Sequence, residues 1–179
     1  MPHVMEVHLR SVQQLFNSMD PSPFVDRDLD ADAEEYIVSW ARELPHRGEF
    51  QLVLHVDEFP EADTEEKVEA AVQHYFAYRA EVAGREFTRL MREGRLSLLI
   101  GLLFLGSCLL GARYLSGIAE HHPLSEFASE SLIIGGWVAM WRPMEIFLYE
   151  WWPLARRRSI FNRLARMDVC LKKALTSSR

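Results

Sequence analysis

The apolar positions of this chain change period several times, and each change predicts an element. In VMEVHL, Met5, Val7 and Leu9 alternate with polar residues, the period-two pattern of a short strand. Ser11-Val-Gln-Gln14 has the spacing of a capping box and predicts a brief helix to Asn17, ended by Asp20-Pro-Ser-Pro23. Asp30 is placed to cap a second helix, which runs to Leu44 ahead of Pro45 with Ala33, Ile37, Trp40, Ala41 and Leu44 at helical spacing. FQLVLHV returns to alternation, with Phe50, Leu52, Leu54 and Val56 on one side. After a break at Pro60 and Asp63, a long helix begins near Thr64 with the stripe Val68, Ala71, Val72, Tyr75 and Val82. Only Gly84 and Gly94 interrupt it before the next segment.

There the periodicity disappears, because everything is apolar. Leu96 to Ala112 is 17 residues without a charge, and with Arg113 and YLSGIA it reaches Ala119. At 1.5 Å per residue such a helix covers a hydrocarbon core of about 30 Å, with Arg113 able to snorkel outward. A chain this short offers too little surface to bury an all-apolar helix otherwise. A second span is expected from Ser131 to Trp152, with 11 uncharged residues through Trp141 before Arg142, Pro143 and Glu145. It would put Arg142 near the bilayer centre, where a charge costs about 2.5–3.5 kcal/mol unless it faces protein or water. A re-entrant or interfacial helix after Pro143 is the alternative. Trp151-Trp152 and Arg156-Arg157-Arg158 favour a full span, because they read as an interfacial belt and a stop signal.

Within the two spans, spacing indicates which faces meet. Ser97, Gly101, Cys108, Gly111 and Ala112 project within roughly a 100° sector, together with Phe104 and Leu115, and small residues let another backbone approach. Gly135, Val138, Arg142, Glu145 and Tyr149 share a face of the second helix, where Arg142 and Glu145 are three apart and can pair. Arg142, Glu145, Tyr149 and Glu150 are therefore a candidate intramembrane polar site. It reads either as an ion or proton path or as an Arg–Glu lock fixing helix register, with the lock favoured. Two helices hide such a pair poorly from lipid, which implies a homo-oligomer or a partner membrane protein.

Charge adds an orientation. Residues 1–75 hold 17 acids and 5 bases, a net charge of −12, whereas residues 76–179 hold 9 acids and 15 bases, a net of +6. Arg79, Arg85, Arg89, Arg92 and Arg95 precede the first span, and Arg156, Arg157, Arg158, Arg163, Arg166, Lys172 and Lys173 follow the second. The connecting SGIAEHHPLSEFASE has neither Lys nor Arg, so both termini are expected in the cytoplasm. Arg92, Arg95, Arg156, Arg157 and Arg158 are candidate lipid-headgroup contacts. The opening MPHVMEVHLR has no signal-peptide pattern.

Specific chemistry is sparse. A calcium loop starting at Asp26 would need glycine at 31 and glutamate at 37, where Ala31 and Ile37 stand; helix capping explains the acidic run DRDLDADAEE. Glu120, His121, His122 and Glu126 lack the spacing of a helical metal site, and His3, His8, His46, His55 and His74 are scattered, so no metal or cofactor is expected. Cys108 and Cys170 read as separate reduced thiols. No phosphate-binding, dinucleotide, serine-nucleophile or zinc-protease motif occurs, so the chain does not read as an enzyme. The basic C-terminus directly behind a span reads as a lipid-facing amphipathic helix and not as a nucleic-acid site.

GWVAMWRPMEIFLYEWWP, together with PSPF, RDLD and AEEYIVSWARELP, resembles sequences of uncharacterised bacterial two-span inner-membrane proteins. The resemblance covers most of the chain and implies a bacterial cell-membrane location, without an activity or site. The expected fold is α+β: an acidic cytoplasmic β-α-α-β unit over residues 1–62, a helical stalk over 63–95, a transmembrane hairpin over 96–152 with spans at 96–119 and 131–152, and a basic cytoplasmic tail over 153–179. The expected function is a non-enzymatic membrane adaptor, assembly or regulatory protein, joined to itself or a membrane partner through the hairpin and binding a cytoplasmic protein. A homo-oligomeric ion channel or transporter subunit is the alternative.

Overall fold

The computed structural model describes residues 3–45, 48–57, 64–118 and 123–174. His46 and the Glu120, His121, His122 group of the expected outer loop lie outside the described residues. The elements run β1 (His3–Leu9), α1 (Ala31–Glu43), β2 (Phe50–Val56), α2 (Thr64–Ile118), α3 (Pro123–Ala139), α4 (Trp141–Glu145), a π-helical turn (Ile146–Glu150), α5 (Trp151–Leu164) and β3 (Asp168–Lys173). Two units form, one from Met1–Gly84 with Arg156–Arg179 and one from Arg85–Ala155.

The first unit is a three-stranded sheet in the order β1-β2-β3, parallel throughout. Parallel neighbours need crossovers. The first crossover carries α1, and the second is the whole of residues 57–167. Beside the two strands foreseen from sequence, the chain thus supplies a third. Alternation sends Met5 of β1, Phe50, Leu52, Leu54 and Val56 of β2, and Val169 and Leu171 of β3 into one core. The core is completed by Ile37, Val38 and Ala41 of α1, Val68, Ala71, Val72, Tyr75 and Phe76 of α2, and Ile160, Phe161 and Leu164 of α5. Val53 is also buried but stands outside that core, on the opposite face of the sheet.

Three expectations change here. The tail is not a lipid-facing helix: α5 turns Ile160, Phe161 and Leu164 into the core, and Val169 and Leu171 pair with β2. Lys172 and Lys173 close an edge strand, where lysine discourages further pairing. Ser11–Gln14 forms a single 3-10 turn, Val12–Leu15, in place of a capped helix, so the unit is not β-α-α-β. Gln14 Oε1 accepts from Arg10 N at 3.0 Å, and Phe16 is drawn into a bridge with Leu29, which stops the turn from propagating. The second apolar segment is also interrupted. Pro143 has no N–H and its ring excludes the carbonyl four residues back, so α3 ends at Ala139.

Other expectations hold. Asp30 caps α1, its Oδ1 accepting from Asp32 N at 3.0 Å, and α2 is continuous through Gly84 and Gly94. Its apolar stretch reaches a mean hydropathy of 1.9, long and apolar enough to cross a membrane, and only 17% of that stretch is buried. The core helix of a soluble protein would be mostly buried. Here Leu99, Ile100, Leu103 and Leu110 are exposed.

Candidate functional site

In the second unit, α2 presents a seam to the segment that follows it. Gly94, Gly101, Cys108 and Ala112 are buried, with Leu98 and Leu105 half-buried between them. The steps alternate four and three, the heptad pattern of close helix packing. A β-carbon on Gly94 would stand 2.8 Å from Ile146 Cγ2, and one on Gly101 would stand 3.2 Å from the Ala139 carbonyl oxygen. One on Gly136 would meet Leu105 Cδ1 at 2.8 Å, and one on Gly111 would meet Leu132 Cδ1 at 3.5 Å. As α2 is followed forward, its contacts run backward along the other segment, and Ser129 Oγ donates to the Ala112 carbonyl at 3.4 Å.

Of the small residues expected at such a seam, Gly101, Cys108 and Gly111 are in it and Ser97 is half-buried. Gly135 has open space around its α-carbon, and its neighbour Gly136 makes the contact. Gly94 and Gly136 are the additions. The 3.6-residue spacing used on the sequence spreads positions that a 3.5-residue repeat lines up.

Arg142 stands level with the stretch of α2 between Gly94 and Gly101, and three carboxylates surround it. Nη1 lies 3.3 Å from Glu145 Oε2 and also donates to Glu150 Oε1, and Nη2 lies 3.4 Å from Glu93 Oε1. The backbone explains the convergence. A regular α-helix would set residue 150 about 80° around from residue 142. The π turn at Ile146–Glu150 takes an extra residue into the winding and swings Glu150 back to the Arg142 face. Tyr149 is 71% exposed and is not a partner of Arg142 among the described residues. Glu93 was missed by sequence reasoning. Its only sequence signal is an acid set among Arg89, Arg92 and Arg95 at the edge of the apolar run.

The expected headgroup arginines separate into two groups. Arg92 and Arg95 are exposed on α2. Those of α5 make contacts inside the first unit: Arg156 Nη2 donates to the Arg42 carbonyl at 3.3 Å, Arg157 sits 5.4 Å from the centre of the Phe161 ring, and Arg158 lies over Gly84. Arg163 donates to the Pro45 and Gly48 carbonyls at 3.2 and 2.9 Å and covers the Phe50 ring at 3.9 Å; burial lowers its pKa.

A second polar group in the first unit joins α1 to α2. Glu34 Oε1 receives Arg79 Nη2 at 2.5 Å and Oε2 receives the Tyr75 hydroxyl at 2.7 Å. Burial, and then the Glu34 hydrogen bond, push the Tyr75 phenol well above its ordinary value. Arg79 also stands 5.6 Å from the centre of the Phe161 ring. This group ties three helices together and is structural in character.

No family model, curated protein or solved structure matches this chain.

Proposed function

We propose that the chain is an integral protein of the bacterial inner membrane, and that it works as a non-enzymatic adaptor or assembly factor displaying its α/β domain in the cytoplasm. The observation that carries this reading is the connection between β2 and β3. One sheet and one core are built from residues on both sides of the insert, so the insert must leave and return on the same side. An apolar insert under that constraint crosses an even number of times. The reversed order of contacts from Gly94–Ile146 to Ala112–Ser129 supports a pair of antiparallel spans. The first would occupy Leu96 to Ile118 and the second Pro123 to about Trp141, some ten residues earlier than the sequence alone suggests. Arg142 then belongs at the cytoplasmic boundary beside Glu93, where its charge is far less expensive than at the bilayer centre. The arginines before Leu96 support a cytoplasmic domain through the positive-inside rule.

Three carboxylates on one guanidinium favour the lock over the ion path, because they fix the rotation of the second helix against α2. The acidic surface of residues 1–57 is the candidate partner face. A channel or transporter subunit is the second reading, favoured by the two carboxylates the cluster holds in excess of its guanidinium. Two experiments test the set. Extraction of membranes at alkaline pH should leave the protein in the pellet; its release would remove the integral reading. Native mass spectrometry from mild detergent should then show a monomer or dimer carrying a different protein. A homo-oligomer of four or more copies alone would favour the channel, and Glu145→Gln should then change ion flux in liposomes.

A further inference from the structure

The sheet face away from the core gathers side chains that are far apart in sequence. Alternation puts Glu6 and His8 together on that face of β1, and the parallel register sets His8 beside His55 of β2. The two imidazoles stack with centroids 4.5 Å apart and planes 15° from parallel. His55 Nε2 lies 3.7 Å from Glu6 Oε2, and one ligand atom from each of the three residues lies within 4.8 Å of the other two. His55 Nε2 is itself buried and has no hydrogen-bond partner among the described residues. A buried nitrogen without a partner is destabilising, and such a group in a native protein calls for a reason.

The geometry points to a site for a divalent transition-metal ion of the zinc and cobalt class, held by Glu6, His8 and His55. Two imidazoles and one carboxylate are the donors such borderline ions take, whereas calcium and magnesium prefer oxygen alone. Bonds of about 2.0–2.2 Å in tetrahedral geometry set ligand atoms roughly 3.3–3.5 Å apart, so the His55–Glu6 pair needs to close by only a few tenths of an ångström. Stacked imidazoles aim their lone pairs in parallel, so one ring must turn about its Cβ–Cγ bond to share an ion. His8 is exposed and free to do so.

Three protein ligands leave a fourth position for water or for a donor from a docked partner. The neighbours on the same face modulate the site. Lys172 of β3 stands in register with His55 and opposes a cation, Glu6 and Asp57 favour one, and Arg10 follows His8 by two residues. Cys170 is on this face as well, its Sγ accepting from Gln51 Nε2 at 3.5 Å. The site belongs to the sheet and stands independently of the membrane reading.

The test is titration of the detergent-solubilised full chain with Co²⁺, followed by its visible absorption, and with Zn²⁺, followed by calorimetry. One equivalent should bind with the intense bands of a tetrahedral cobalt site. His8→Gln and His55→Gln should each weaken it by more than the roughly 10–100-fold that loss of an outer-sphere partner brings, and Glu6→Gln should weaken it too. Thermal unfolding without metal separates these effects from misfolding. Should His55→Gln fail to fold, His8→Gln at its exposed position carries the same test. Absence of binding, affinity unchanged in His8→Gln, or binding lost only when His121 and His122 are replaced would overturn the site.

Discussion

Gly136 lies against Cys108 so closely that a β-carbon on the glycine would stand 3.2 Å from the cysteine's own Cβ. The same atom would meet Leu105 at 2.8 Å, whereas one on Gly135 would meet nothing within 4 Å. Gly136→Leu should therefore overpack the seam and lower stability by about 1–3 kcal/mol, while Gly135→Ala should not lower it. Thermal unfolding of the two variants in one detergent decides this. Equal loss in both would mean the seam is not formed by these faces.

Arg142 is the guanidinium that Glu93, Glu145 and Glu150 share among the described residues. Arg142→Gln should leave three carboxylates repelling one another and reduce the unfolding temperature. Adding Glu145→Gln and Glu150→Gln should restore part of it, with a coupling of about 0.5–3 kcal/mol in the mutant cycle. Strictly additive losses would show that the groups do not act as a unit.

The raised pKa of Tyr75 gives a pH dependence of definite sign. Below about pH 10 the phenol keeps its proton in both folded and unfolded chains, and its contribution is complete. Above that, the unfolded chain releases the proton first, so stability falls as pH rises toward the folded pKa. Tyr75→Phe should flatten the part of the alkaline slope that this phenol contributes. It should also lower stability near neutrality by about 1 kcal/mol through the lost bond to Glu34. Unfolding midpoints of both proteins from pH 8 to 11 measure both effects.

β3 is buried at Val169 and Leu171, which are 2% and 8% exposed. Leu171→Ala should cost about 2–5 kcal/mol, the usual loss for emptying a buried leucine site. Deleting residues 168–179 should abolish cooperative unfolding of the domain. A tail that merely lies on lipid would leave the transition in place.

Much of the first unit was legible because period and contact coincide. The alternation in β1 and β2 recurs in the core, with Val7 and Leu9 half-buried; the stripe of α2 recurs from Val68 to Tyr75, with Val82 half-buried; and Asp30 caps α1. β3 was not legible, because DVCLKK is short and sits behind a run of arginines that reads as headgroup binding. The clue lay in β2 itself. FQLVLHV buries Val53 as well as its alternating leucines, as a strand with a neighbour on each side does. For the candidate site, the Arg142–Glu145 pair follows from a spacing of three, whereas Glu150 depends on a π turn that no residue type announces. Glu93 reaches Arg142 from α2, and His8 meets His55 through strand register; neither relation is local enough for spacing to carry.

The sheet's middle strand waits for its second neighbour until residues 57–167 have been made. With that insert read as a membrane segment, a nascent chain shows an unpaired β2 edge throughout insertion, at the stage when such edges recruit other chains. On that reading, the domain closes only after a second crossing has brought the polypeptide back to the side where β1 and β2 were synthesised. By the same reading, an insert that crosses only once would leave β3 across the bilayer from β1 and β2, and the sheet open along its middle strand.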